Sequence, residues 1–87
     1  MRRTVVVEGF VQGVFFRDTV RRLAVQHAVA GWVRNTPEGA VEAVFEGEAE
    51  AVERLVAFMH EGPAGAIVER VYEIQGEDEG LSGFVVR

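Results

Sequence analysis

Within the first third of this chain the apolar residues change period once, and that change does most to limit the possible folds. Thr4 to Val11 alternates around a β-branched run, which predicts a strand with Val5, Val7 and Val11 on one face. Phe16, Val20, Leu23, Ala24 and His27 instead recur at helical spacing along one stripe. Between the two patterns lies Gly9-Phe10-Val11-Gln12-Gly13-Val14-Phe15, a strand-to-helix connection containing two glycines. A strand that feeds a helix in this way must bury one face of the sheet under that helix.

The remaining elements follow from the same reasoning. Gly31 to Asn35 predicts a second strand, and Thr36-Pro37-Glu38-Gly39 a turn with Pro and Gly where a turn favours them. Ala40 to Glu46 predicts a third strand, with Val41, Ala43 and Phe45 inward and Glu42 and Glu46 outward. A second helix runs from about Glu48 to His60 on the stripe Val52, Leu55, Val56 and Met59, and Gly62-Pro63 stops it. Strand four covers about Val68 to Gln75, an acidic loop Gly76 to Gly80, and a short last strand Gly83 to Arg87. The order βαββαβ plus a terminal strand predicts an α+β two-layer sandwich, with both helices on one face of a mainly antiparallel sheet. No linker or repeat divides residues 1–87, so one domain is expected.

In such a split βαβ unit the first two strands run the same way, because the helix carries the chain back between them. The loop after strand one, the start of helix one and the end of strand two should therefore share one sheet edge. Arg17 and Asn35 are expected to meet there, beside the turn at 36–39.

Charge supports an anion site at that edge. The net charge is −5, but residues 1–35 carry six arginines against Glu8 and Asp18, a balance of +4. Residues 36–87 carry three arginines against twelve acids, a balance of −9. Main-chain N–H groups in a glycine-bearing loop, together with a helix N-terminus, can converge on an anion. Arg17 strengthens the case. A cation in the first helical turn opposes the macrodipole unless an anion is near, and guanidinium presents a planar fork to phosphate oxygens. The alternative is a salt bridge from Arg17 to an acid such as Glu42, or plain solvation. Asp18 reads as a helix-start residue, and Arg34 as a partner of Glu42 or Glu46 across the hairpin.

Gly9-Phe10-Val11-Gln12-Gly13-Val14-Phe15-Phe16-Arg17, followed by Gly31-Trp32-Val33-Arg34-Asn35-Thr36-Pro37-Glu38-Gly39, resembles the two-part signature of the acylphosphatase family. Gly62-Pro63, Ala66, Val68, Val71 and Phe84 extend the resemblance over nearly the whole chain. It implies a ferredoxin-like sandwich that hydrolyses acyl phosphates to a carboxylate and inorganic phosphate, with no metal, no cofactor and no covalent intermediate. By position, Arg17 matches the family's phosphate-binding arginine and Asn35 its water-orienting asparagine. Gln12, Gly13, Val14, Phe15, Phe16 and Arg17 match its phosphate cradle. Many relatives have glycine where this chain has Ala28. A left-handed backbone there would cost on the order of 1 kcal/mol with alanine.

Other function classes fit less well. An RNA-binding sandwich needs exposed aromatic and basic residues on its central strands, whereas strand three offers Glu42 and Glu46. An acidic total disfavours nonspecific nucleic-acid binding. A domain serving a larger carbamoyl-transfer protein, or a phosphate-binding subunit without turnover, would keep the resemblance but change the role. His27 and His60 each sit at a helix end, where a cation suits the dipole, and no metal site is expected from two such distant histidines. There is no cysteine and no apolar run long enough for a membrane span, and Met1-Arg2-Arg3-Thr4 leads directly into a strand. A cytoplasmic monomer is expected. The absence of lysine and the single asparagine, Asn35, suggest a thermophile and single out that asparagine as a working residue.

Overall fold

The computed structural model describes residues 1–87. Its elements are β1 (Arg2–Phe10), α1 (Phe16–Gln26), β2 (Ala30–Asn35), β3 (Val41–Glu46), α2 (Ala49–Glu61), β4 (Ile67–Gly76) and β5 (Phe84–Val86). They form one five-stranded sheet in the order β4-β1-β3-β2-β5. β3 pairs antiparallel with both β1 and β2, so β1 and β2 run the same way, as the crossover through α1 requires. β1 also pairs antiparallel with β4, while β5 joins β2 in parallel. This is the two-layer arrangement that the periodicity predicts. No helix is long and apolar enough to cross a membrane.

The core lies between the helices and one sheet face. Val5 and Val7 of β1, Val33 of β2, and Val41, Ala43 and Phe45 of β3 are all buried against α1 and α2. α1 contributes Phe16, Val20 and Ala24, and α2 contributes Val52, Leu55, Val56 and Met59. Fully burying each Val, Leu or Phe contributes about 1.5–3 kcal/mol, which sets the registers of a sheet that offers only one face to the helices.

Several local expectations need correction. Gly9 belongs to β1 and not to the loop: its φ is 133°, and a Cβ there would lie 2.1 Å from the Ile67 carbonyl oxygen of β4. Glycine is needed at that point because two strands approach across an irregularity in the β1–β4 register. Glu46 does face away from the helices, but it is only 5% exposed. It accepts hydrogen bonds from the Glu79 and Leu81 N–H groups, at 2.9 and 3.1 Å, and pairs with Arg2, so it anchors the acidic loop. Burial pushes its carboxyl up, yet those donors together hold it below the usual carboxylate value.

Arg3, for which the sequence offers no specific expectation, is a buried cation on the helix side of the sheet. It bridges Glu53 of α2 and Glu73 of β4 at 2.8 and 2.7 Å, and its Nε has no partner. His60, in the last turn of α2, does more than oppose a dipole. Its Nε2 lies 2.6 Å from Glu73, and this contact, with help from Arg3 and against burial, lowers the Glu73 pKa.

The open face carries a row of four apolar residues and one threonine that alternation alone did not bring out. Ile74, Thr4, Val44, Trp32 and Val85 stand side by side across all five strands. Arg34 pairs with Glu42 at 2.7 Å, one of its two expected partners.

Ala28 has φ 56° and is left-handed. The Val29 N–H donates to the Ala24 carbonyl at 2.8 Å, and the Ala28 N–H to Val25 at 3.2 Å, which closes α1 with a Schellman-type turn.

Candidate active site

A cavity of about 490 Å³ opens at the sheet edge where β1 and β2 end. Val11, Gly13, Phe15, Phe16, Arg17, Asp18, Asn35 and Val86 line it. Arg17 and Asn35 do meet there, through the parallel run of β1 and β2.

The loop from Val11 to Phe15 turns the chain from β1 into α1. Gly13 has φ 78° with nothing within 4 Å of a would-be Cβ, so backbone conformation, not space, calls for glycine. Phe15 precedes α1 with φ 60° and provides no side-chain cap. The first N–H groups of α1 therefore have no capping side chain, and the residues of this first turn, Phe16, Arg17 and Asp18, line the cavity at the positive end of the helix dipole. An anion is a natural occupant of such a terminus.

Arg17, second residue of α1, does not bridge to Glu42, which is taken by Arg34. Its Nη1 donates instead to the Arg87 carbonyl oxygen at 3.2 Å. That contact depends on β5. Three rungs tie β5 to β2, Phe84 stacks on Phe45 at 5.9 Å, and the Arg87 guanidinium lies 4.4 Å above the Trp32 ring. A neutral carbonyl orients the guanidinium while leaving its charge available to a ligand.

Asn35 ends β2, and the turn after it is tightly held. The Thr36 N–H donates to the Ala40 carbonyl at 2.9 Å, and the Ala40 N–H to Thr36 Oγ1 at 3.1 Å. Gln12 closes the arrangement from the loop side, its Nε2 donating to the carbonyls of Thr36 and Ala40 at 3.0 and 2.9 Å.

Of the expected cradle, Gly13, Phe15, Phe16 and Arg17 line the cavity. The Gln12 side chain is committed to the turn, and Val14 packs against the core, so these two could offer a ligand only their main-chain N–H groups. Val11, Asp18 and Val86 line the cavity without having been singled out. Asp18 adjoins Arg17 and could have been found from that adjacency. Val86 could not, because only the parallel pairing of β5 with β2 brings residue 86 to residue 17's neighbourhood.

Comparison with known proteins points to one family. The family model described as acylphosphatase matches residues 3–86. An acylphosphatase of Rubrobacter xylanophilus is 57% identical over 88 residues, covering 99% of this chain and 79% of that one. One from Gloeobacter violaceus is 49% identical, covering 99% and 92%. The solved acylphosphatase of Coxiella burnetii superposes with a TM-score of 0.93 at 41% identity, over 99% of this chain and 90% of that chain. Its matched family model, its relatives and its fold all lead to one conclusion: the chain belongs to the acylphosphatase family.

Proposed function

We propose that this chain hydrolyses acyl phosphates to a carboxylate and inorganic phosphate, by direct attack of water on phosphorus. The observation that carries this reading is the shared cavity, in which Arg17, the uncapped start of α1 and Asn35 face one volume.

An acyl phosphate is an activated anhydride whose leaving carboxylate needs little protonation. Positioning and stabilisation of equatorial charge can then supply most of the catalysis. The Arg17 fork and the N–H groups of loop and helix hold the three phosphoryl oxygens. Asn35, whose amide both donates and accepts, holds the water. The water oxygen bonds to phosphorus while the bond from phosphorus to the bridging acyl oxygen breaks, and its electron pair leaves with the carboxylate. Both water protons end on the phosphate, so RCOOPO₃²⁻ and H₂O give RCOO⁻ and H₂PO₄⁻. A phosphoryl oxygen of the substrate accepts the proton that water gives up.

The lining supports a route without metal or covalent intermediate. It contains no Ser, Cys, His or Lys, and its one carboxylate, Asp18, is engaged by Arg22 at 3.2 Å. A single carboxylate is too small a donor set for a divalent cation. The test is phosphate release from acetyl phosphate with excess chelator, repeated in heavy-oxygen water. Turnover should persist, with the label in phosphate. A need for added metal, or label in the carboxylate, would overturn the reading, and absence of turnover with phosphate still bound would favour a binding subunit.

A further inference from the structure

The open face of the sheet is covered on one half and bare on the other. Over β3 and β2 the loop at 77–81 folds across Glu46, the Arg87 guanidinium lies on Trp32, and Val44 is only 2% exposed. Over β1 and β4, by contrast, Phe10, Ile67, Tyr72 and Ile74 are between 47% and 63% exposed. Register places all four on this face. Val5 and Val7 pack toward the helices, so Val6 and Glu8 point away, together with their partners Tyr72 and Arg70. Beyond the irregularity in register, Val68 packs against the core, which returns Ile67 and its partner Phe10 to the open face. A contiguous stripe of large apolar side chains is uncommon on a surface that meets only water.

One charged row crosses the stripe. Glu8 and Arg70 stand opposite each other, with Phe10 and Ile67 on one side of them and Tyr72 and Ile74 on the other. Every ion pair of the chain lies elsewhere. Glu8 accepts only a 3.5 Å hydrogen bond from the Tyr72 hydroxyl. Both charges are therefore open to a partner.

We propose that this half-face binds a second copy of the chain, face to face, about a two-fold axis running along the strands between β1 and β4. That axis sets Glu8 against Arg70 of the second copy, and Arg70 against its Glu8, so the charges match twice over. It sets Phe10 against Ile67, and Thr4 against Ile74, in the same reciprocal way. A two-fold axis across the strands at this row would instead oppose glutamate to glutamate and arginine to arginine. The apolar rows supply the affinity, because sheets packed about 10 Å apart interdigitate their side chains and exclude water. The charged row fixes register and orientation. Two strands from each copy make a small interface, so a Kd of about 10–100 µM is expected. Sequence alone suggests a monomer; this face gives a physical reason for a weak dimer. None of these residues lines the cavity, so the dimer is independent of the chemistry there.

Sedimentation velocity on the natural chain, from well below to well above that Kd, should show monomer passing into dimer. Ile74→Lys should weaken the dimer by about tenfold or more, since it removes apolar burial from both halves. Glu8→Arg sets arginine against Arg70, and Arg70→Glu sets glutamate against Glu8. Each variant alone should therefore dimerise about tenfold more weakly. Mixed in equal amounts, the two restore opposite charges at both contacts and should form a heterodimer as tight as the natural dimer. A charge that acted only within its own chain would gain nothing from mixing. Should either single variant fail to fold, the double variant Glu8→Arg with Arg70→Glu carries the same test, because its charges again meet in opposite pairs and it should dimerise by itself. A natural chain that stays monomeric at high concentration would overturn the proposal. So would a dimer indifferent to these substitutions, such as one joined along the free edge of β4, or the absence of rescue in both the mixture and the double variant.

Discussion

At the start of α1, Phe15 has φ 60°; just beyond its end, Ala28 has φ 56°. The two residues carry the same kind of backbone penalty at opposite ends of one helix, and their surroundings differ. Phe15 stands at a cavity with no capping side chain, beside Arg17 and across from Asn35. Ala28 closes a Schellman-type turn near Gly47 and borders a separate, mostly apolar hollow with Val25, Leu81 and Phe84, with no arginine or asparagine in its lining. The sheet divides in the same way. At its cavity end α1 has no side-chain cap, and the Arg17 guanidinium meets only a neutral carbonyl. At its other end charges are spent within the protein, where Glu46 is held by Arg2 and two N–H groups. Equal strain therefore carries different meanings, and the chemistry around it decides which.

Arg17→Ala should separate the two ends most sharply. Charge-assisted hydrogen bonds contribute about 1.5–3 kcal/mol each, so losing two or more should lower kcat/KM by at least about a hundredfold. Phosphate affinity, followed by titration, should fall in parallel while urea stability barely moves. Activity within tenfold of the natural chain would remove Arg17 from the site. Asn35→Ala comes next, with kcat expected to fall by about tenfold or more and KM to change little, as for an interaction made chiefly in the transition state. Near-normal turnover would end the water-holding role.

At the other end the expected effects are on stability. Folding lowers the pKa of Glu46 and Glu73 from the ordinary 4.5. As pH falls below that value the unfolded chain takes up protons first, so stability present above it is lost through the lowered folded values. Chemical denaturation across this range should show that acid limb, and Glu46→Gln should flatten it. An unaltered slope would assign the acid sensitivity elsewhere. The smallest effect is expected from Ala28→Gly, which should stabilise the fold by about 1 kcal/mol in urea melts and leave kcat unchanged. Loss of stability would show that alanine's limit on the unfolded chain outweighs the left-handed cost.

The elements themselves were legible because each carries a clear period. The stripe of Val52, Leu55, Val56 and Met59 is the buried face of α2, and Val41, Ala43 and Phe45 are the inward face of β3. Arg17 and Asn35 were legible as neighbours from handedness alone; Arg17 read as an anion ligand from charge and helix polarity, whereas the water-positioning role expected of Asn35 came chiefly from the family resemblance. What local pattern could not convey depends on pairing between distant segments. Gly9 reads as a loop glycine until β4 crosses it, and Glu46 reads as solvated until the loop at 77–81 folds over it. Val86 and the carbonyl that orients Arg17 come from the other end of the chain, through a parallel pairing that no hairpin signal announces.

Gln12 has one further consequence. Its single amide group bonds to both ends of the turn that follows Asn35, while its own backbone belongs to the loop that leads into the cavity. In the proposed reaction one side chain therefore gauges the spacing between phosphorus and attacking water, and the turn is not free to vary as surface turns usually are. Lengthening residues 36–39 by a single amino acid should be felt as a change in catalytic geometry before it is felt as a change in fold.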